Sequence, residues 1–218
     1  MNLCHRYQWP CRWWSTLWWT WCKAICPIHS TTTVDQPSIK MNIEQFVAQS
    51  LGEWRSMRSG HSLAFQQFED VLSEITITQF DTDNKEIKEA IKNSSQPDDS
   101  TYISPFKMEW NAESDWEPDD PTAVSSGSCI IIPIPKNQTS GHLLRSVGYA
   151  ESFPAESNYR FLNDGTFILE TNYEQSIAQE RIWFVSEHVR CRSSVLKTSE
   201  GSGILQSSFA SEVRRIKV

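Results

Sequence analysis

The hydrophobic residues that follow position 41 first recur at helical intervals. Apolar side chains are spaced by three and four residues, as on one face of a helix, at Ile43, Phe46, Val47 and Leu51. Asn42 is suited to cap this helix, and Gly52 is suited to end it. A second, shorter helix is predicted at residues 84–92, where Asp83 and Glu86 have the spacing of a capping pair.

The remaining pattern is mostly that of β-strands. Between residues 71 and 80 (VLSEITITQF), apolar and polar residues alternate, and β-branched and aromatic types are frequent. Comparable segments, separated by short polar turns, lie at 58–68, 102–111, 129–135, 142–151, 158–162, 166–173, 181–185, 189–197 and 202–216. Roughly ten strands after one helix predict an all-β, antiparallel, up-and-down barrel. A barrel of that size can enclose one small ligand.

Residues 1–40 differ from the rest in composition. They contain six of the ten tryptophans and four of the six cysteines. They lack the aliphatic run of a signal peptide, and polar residues interrupt the run that a membrane span needs. The cysteine spacing fits no common zinc motif. We therefore predict a Trp/Cys-rich extension over residues 1–40, either not native or disordered, and one folded domain over residues 41–218.

The charge distribution narrows the classes of partner. Apolar residues make up 39% of the chain, which suffices for a packed core. The formal net charge is −7, and outside residues 1–40 there are 16 Lys and Arg against 26 Asp and Glu. An acidic domain without a basic stripe is not expected to bind nucleic acid. Only Cys129 and Cys191 lie in this domain, which indicates a reducing compartment such as the cytoplasm.

The strongest candidate for ligand binding is the pair Arg190 and Arg192. If residues 189–195 form a strand, both side chains share one face with Ser194, and Cys191 lies on the other face. Two neighbouring guanidinium groups bind planar anions such as carboxylates. The alternative is that both arginines point to solvent, and the sequence alone favours neither arrangement.

The segment 170–183 (ETNYEQSIAQERIW) supplies acidic and aromatic candidates, among them Glu174, Glu180 and Trp183. A carboxylate inside a barrel requires a cationic or N–H partner. Glu174 or Glu180 could therefore face an arginine or the N–H groups of a ligand. The alternative is a charged hairpin on the surface.

Three earlier residues, Arg58, His61 and Trp110, complete the candidates. His61 could carry a proton near neutral pH, although a purely structural histidine is the more common case. Trp110 could stack on a flat ligand, although a tryptophan of the core is more common. The sequence contains no hydrolase motif, phosphate-binding glycine loop or metal-ligand pair, so we expect no metal.

Several segments occur in an order and spacing typical of one family. They are MNIEQFVAQSLGEW (41–54), RSGHSLAFQ (58–66), MEW (108–110), CIIIPIP (129–135), SGHLLRSVGYAE (140–151), ERIWFVSEHVRCRSSVLK (180–197) and SFASEVR (208–214). In these segments the chain resembles the S-type phycobiliprotein chromophore lyases, the CpcS/CpeS family. The resemblance spans nearly all of residues 41–218, and the segment 180–197 is its most specific part.

The resemblance implies a lipocalin-like or fatty-acid-binding-protein-like barrel that binds a bilin, an open-chain tetrapyrrole such as phycocyanobilin or phycoerythrobilin. It implies covalent attachment of the bilin to a cysteine of an α or β subunit of phycocyanin, allophycocyanin or phycoerythrin. Residues near the bilin would be Arg58, His61, Trp110, Glu174, Arg190 and Arg192. We predict catalytic roles for Glu174, Arg190, Arg192 and His61, and bilin contacts for Arg58, Trp110, Trp183 and Glu180. The choice between Glu174 and Glu180 stays open.

Two positions depart from the family pattern. Ser62 follows His61 where members often have a second histidine, and Ser104 stands where a tryptophan is often found. These departures support an alternative in which the chain is a bilin carrier or a non-catalytic partner subunit, paired with a paralogous lyase subunit. A homodimer is a further possibility, and a fatty-acid-binding barrel is the third reading of the fold. The resemblance implies the cytoplasm of a cyanobacterium, or the plastid stroma of an alga, without an integral membrane segment.

Overall fold

A computed structural model describes residues 41–97, 100–114, 126–146, 155–200 and 203–216. All of them belong to the second of two units into which the chain divides, Met1–Ser38 and Ile39–Val218. The predicted extension over residues 1–40 lies outside the described residues. Neither described helix is long and apolar enough to cross a membrane.

The strands of the described chain form one closed antiparallel barrel, in which consecutive strands pair and the first pairs with the last. They are β1 (Gly52–Ser62), β2 (Gln67–Gln79), β3 (Phe106–Ser114), β4 (Ser126–Asn137), β5 (Ser140–Arg145), β6 (Ala155–Phe161), β7 (Phe167–Asn172), β8 (Ser176–Ser186), β9 (Val189–Thr198) and β10 (Ile204–Arg214). This is the up-and-down, lipocalin-like barrel that the alternating pattern predicts, and the prediction is confirmed.

Helix α1 (Ile43–Ser50) packs its apolar face against the interior of the barrel at one end. Asn42 caps it as expected, because its side chain accepts a hydrogen bond from the Gln45 N–H at 2.9 Å and the Asn42 N–H donates one to Gln45 Oε1 at 3.1 Å. The ring of Phe46 stacks on Phe167 with their centroids 4.3 Å apart. The helix therefore fills this end of the barrel with apolar side chains.

Helix α2 (Lys85–Lys92) lies outside the barrel and explains the continuous apolar run of β4. Ile87 and Ile91 of the helix form a buried cluster with alternate residues of β4, namely Ile130, Ile132 and Ile134. Cys129 and Ile131, which lie on the opposite face of β4, belong to the cluster inside the barrel. Both faces of this strand are buried, so its sequence lacks the usual alternation.

Two local predictions are wrong. Asn84 caps α2, because its side chain accepts a hydrogen bond from the Glu86 N–H at 2.9 Å, and Asp83 does not serve as the cap. The predicted strand at 58–68 is interrupted by a turn at residues 63–66. This turn contains none of the usual turn residues, and Gln66 takes the left-handed backbone conformation that normally favours glycine, with φ of 54°.

Candidate ligand-binding site

The barrel contains a cavity of about 450 Å³, within the size range of small-molecule sites. Strands β2 and β3 give its wall an apolar part, formed by Val71, Ile75, Met108, Trp110 and Ala112. Strands β8, β9 and β10 give it a polar part, formed by Glu180, Arg192, Ser194, Gln206 and Ser208. Such a wall suits a ligand that has both apolar and polar groups.

The two arginines of β9 point into the barrel and not to solvent, on the same strand face as Ser194. Both bind one carboxylate, that of Glu212 on the neighbouring strand β10. Arg190 Nε donates a hydrogen bond to Glu212 Oε2, and Arg192 Nη2 donates one to Oε1 at 2.6 Å. The strand register explains this contact, since Arg190 lies directly opposite Glu212. Arg192 also lines the cavity.

The buried Glu212 carries a negative charge. Burial alone would raise the pKa of Glu212, but the charges of Arg192 and Arg190 and their hydrogen bonds outweigh this effect and lower the pKa to about 2. Arginine stays protonated at all ordinary pH values. Glu180 adds a second carboxylate to the same wall, so the cavity is bordered by charges of both signs.

Trp54 connects this charged group to helix α1. The guanidinium carbons of Arg190 and Arg214 lie 4.5 and 4.3 Å from the centroid of its ring, as in cation–π contacts. The indole N–H of Trp54 donates a hydrogen bond to the Ser50 carbonyl at 2.8 Å, and Arg214 Nη2 donates one to the Gln49 carbonyl at 2.6 Å. The end of α1 thus helps to fix the position of Arg190.

The structure separates the two acidic candidates, Glu174 and Glu180. Strand β8 starts at Ser176, five residues before the predicted start, and includes Glu180. Glu180 pairs with Leu169 and Ser194 of the adjacent strands and lines the cavity. Glu174 lies in the turn before β8 and is exposed. Only Glu180 contributes to the cavity wall.

Trp110 lines the cavity, and the neighbouring strand leaves space for its ring. Trp110 pairs with Gly127 of β4, and a Cβ atom added to Gly127 would overlap the indole ring. At Gly60 of β1, by contrast, an added Cβ would come no closer than 3.8 Å to any other heavy atom. Glycine at position 127 is therefore required by the position of Trp110.

We expect Gly127→Ala to destabilise the protein by about 1–3 kcal/mol, because the added methyl group must displace the Trp110 ring. Gly60→Ala is the matched control, since ordinary contact distances surround its added Cβ. Urea unfolding of both variants measures the difference. Equal free energies of unfolding for the two variants would contradict the assigned packing of Trp110.

Of the other candidates, Arg58 faces the cavity, whereas His61 and Trp183 do not. Arg58 Nη2 lies 3.5 Å from Glu69 Oε2, and both side chains are partly exposed. His61 is exposed on the outer face of β1, where its ring contacts Phe68 at 4.8 Å between centroids. Trp183 alternates with inward-facing Ile182 and contacts Phe209 on the outside of the barrel. The structure does not bring His61 or Trp183 to the cavity.

Two buried charged residues of the interior, Glu212 and Arg145, are not among the candidates identified from the sequence. Arg145 Nη2 donates hydrogen bonds to Ser157 Oγ at 3.1 Å and to Thr171 Oγ1 at 2.8 Å, and the residue lines a small space of about 60 Å³ near α1. For Glu212, the sequence does contain a pattern from which its position could have been predicted. In the segment SFASEVR it shares one strand face with Ser208 and Ala210, so an inward-facing acid could have been predicted beside the arginines.

Fold and cavity define a class, that of closed antiparallel β-barrels with an interior cavity whose wall is partly apolar and partly charged. The comparison of sequences then defines the family. The CpeS-like protein family matches residues 42–215, and the chain belongs to this family. The resemblance noted from the sequence segments is thereby confirmed.

Individual relatives agree with this assignment. The chain is 47% identical to the chromophore lyase CpcS/CpeS 3 of Trichodesmium erythraeum, over 80% of this chain and 99% of that protein. It is 31% identical to the phycocyanobilin lyase subunit CpcS of a Picosynechococcus species, over 72% of this chain and 79% of that protein. Among solved structures, it matches the S-type phycobiliprotein lyase CPES from Guillardia theta with a TM-score of 0.69 and 35% identity, over 82% and 95% of the two chains.

Proposed function

We propose that this chain is a bilin lyase. It binds phycocyanobilin or phycoerythrobilin in the barrel and attaches the bilin through a thioether to a cysteine of a phycobiliprotein subunit. The observation that carries the proposal is the cavity wall, which combines an apolar part with Arg58, Arg192 and Glu180. The names of the relatives as chromophore lyases support it. Cyanobacterial relatives and the proposed acceptor favour a cytoplasmic location.

The arginines suit the propionate groups of a bilin. A guanidinium group has several N–H donors, so Arg192 can hold Glu212 and a ligand carboxylate together. Arg58 lies elsewhere on the wall, in a partly exposed ion pair with Glu69. An aliphatic fatty acid has one carboxylate, so it would use one of the two cations, Arg58 or Arg192, and would offer no hydrogen-bond donor to Glu180. The distribution of charge therefore favours the bilin.

Glu180 and Trp110 suit the ring system. A carboxylate accepts hydrogen bonds, and the pyrrole nitrogens of a bilin can donate them, so Glu180 can hold the tetrapyrrole in one protonated conformer. The indole ring of Trp110 offers a flat surface for stacking. His61 and Trp183 have no role in the proposed reaction, because their side chains lie on the outer face of the barrel.

The transfer step needs no nucleophile from this chain. The acceptor thiol adds across the ethylidene double bond of the A ring, so a C–S bond forms, the C=C bond becomes a single bond and the thiol proton passes to the tetrapyrrole. No electrons are gained or lost overall. The contribution of the barrel is to bind one conformer and to present its reactive edge to the thiol.

Titration of the purified full chain with phycocyanobilin tests the binding step. We expect a shifted bilin absorption band that saturates at one bilin per chain, and we expect that excess palmitate does not displace the bilin. Arg192→Ala should weaken binding, because it removes a cation from the wall. Binding of palmitate in preference to bilin would contradict the proposal and would support a fatty-acid-binding barrel.

A second candidate function is that of a partner subunit which binds bilin but does not transfer it alone. The departures at Ser62 and Ser104 favour it, as does the similarity to a protein named as a lyase subunit. In this case the loaded chain would label an acceptor only after a paralogous lyase subunit is added.

A further inference from the structure

We propose that the acceptor subunit docks on an exposed apolar patch beside the mouth of the barrel. The rim patch, as we name it, consists of Leu63, Phe65 and Ile204. This inference rests on the proposed function, since it concerns the surface through which the bilin leaves the cavity.

The cavity opens toward one end of the barrel. Its lining begins near Met108 and Arg192, which also border the small space beneath α1. It continues to Tyr173, Leu196 and Gln206, close to the turns that follow β7 and β9. Apolar side chains of α1 fill the opposite end. In the described part of the barrel, an acceptor thiol therefore approaches a bound bilin from the end where these turns lie.

The rim patch lies at this end of the barrel. Leu63 and Phe65 lie in the turn between β1 and β2, and Phe65 is 76% exposed. The Leu63 N–H donates a hydrogen bond to the Leu205 carbonyl at 2.9 Å, which holds the turn beside Ile204 at the start of β10. Aromatic and aliphatic side chains exposed together on a folded domain commonly mark a binding surface.

The two segments that carry the patch contain no charged residues. Residues 59–68 and residues 204–211 contain no Asp, Glu, Lys or Arg, although such residues make up 22% of the chain. Interface centres are depleted in charged residues and enriched in aromatic anchors. The occupant must bring its cysteine to the bilin, and this requirement identifies it as the phycobiliprotein acceptor.

The test compares Phe65→Ser with Met57→Ser in the full chain. Met57 is 61% exposed on the outer face of β1, away from the turn, and is a matched control. Two quantities are measured for each variant: the affinity for phycocyanobilin, and the affinity for an acceptor subunit whose target cysteine is replaced by serine. We expect Phe65→Ser to weaken acceptor binding about tenfold, as for an interface anchor, with bilin affinity unchanged. Met57→Ser should change neither affinity.

Three outcomes would overturn the proposal. The first is unchanged acceptor binding in both Phe65→Ser and the double variant Leu63→Ser/Phe65→Ser. The second is an equal loss of acceptor binding in Met57→Ser, which would place the interface on the outer face. The third is loss of self-association in sedimentation for Phe65→Ser with acceptor binding unchanged, which would assign the patch to a second copy. If the unaltered chain binds no bilin, the proposed function fails. The measurement of acceptor affinity still decides whether the acceptor subunit docks on the rim patch.

Discussion

Replacement of Glu212 by glutamine is expected to lower the free energy of unfolding by about 3–5 kcal/mol, as is typical when one partner of a buried ion pair is removed. The side chain of Glu212 is 1% exposed and that of Arg190 is 5% exposed, so water cannot replace the lost carboxylate charge. Glutamine preserves the shape of the side chain, and the effect therefore reports charge and hydrogen bonding.

Glu74→Gln is the control for this substitution. Glu74 forms an ion pair with Arg215 at 2.9 Å, and both side chains are more than half exposed. An exposed pair contributes at most about 1 kcal/mol, so the control should have little effect. Urea unfolding followed by circular dichroism gives both values. A loss at Glu212 no larger than that at Glu74 would contradict the assigned role of the buried pair.

The Glu212→Gln substitution should also change how the free energy of unfolding depends on pH. The pKa of Glu212 is lowered in the folded state, from its usual 4.5 to about 2. Its contribution to stability is therefore complete above pH 4.5 and is lost as the pH falls from there toward about 2. The difference in stability between the unaltered chain and Glu212→Gln should be largest near neutral pH and should shrink below about pH 4. A difference that is constant from neutral to acidic pH would argue against the buried charge.

Glu180→Gln is expected to have the largest effect on bilin transfer, a loss of about a hundredfold or more, as for removal of a group that manages a proton. The substitution exchanges a carboxylate for a neutral amide in the cavity wall, so the pyrrole nitrogens lose a charged acceptor. The absorption band of the bound bilin should also shift, because its protonation and conformation depend on that partner.

Glu174→Gln is the matched control, since it makes the same chemical change in the turn that precedes the strand of Glu180. Glu174 is exposed and does not line the described cavity, so transfer should stay within about twofold of the unaltered chain. The initial rate of covalent attachment is measured for both variants. A larger loss for Glu174→Gln than for Glu180→Gln would reverse the assignment of the acid.

The sequence predicts the barrel well because a strand with one buried face must alternate. Alternation also places Arg190 and Arg192 on one face, as the structure confirms. It does not tell which face points inward, and the outer faces of β1 and β8 carry aromatic residues of their own. The resemblance implies a position near the bilin for His61, and Trp183 is predicted to contact the bilin, but the strands turn both side chains outward.

Partners that lie on different strands are harder to predict. The contact of Glu212 with Arg190 depends on the register between β9 and β10, and a bulge between Ile204 and Gln206 shifts this register. The turn at residues 63–66 has no Gly, Pro, Asn or Asp, so the local sequence does not predict a turn there. In both cases the closed barrel imposes the arrangement through contacts between distant segments.

Covalent transfer is the most direct test of the bilin lyase proposal. The full chain is produced together with a bilin supply and a phycobiliprotein β subunit, and the denatured subunit is examined by zinc-enhanced fluorescence. We predict a fluorescent acceptor band that disappears when the target cysteine is mutated and that weakens strongly with Arg192→Ala. An unlabelled acceptor, despite a coloured complex between bilin and this chain, would contradict the bilin lyase proposal. The remaining functions would then be those of a bilin carrier or of a partner subunit.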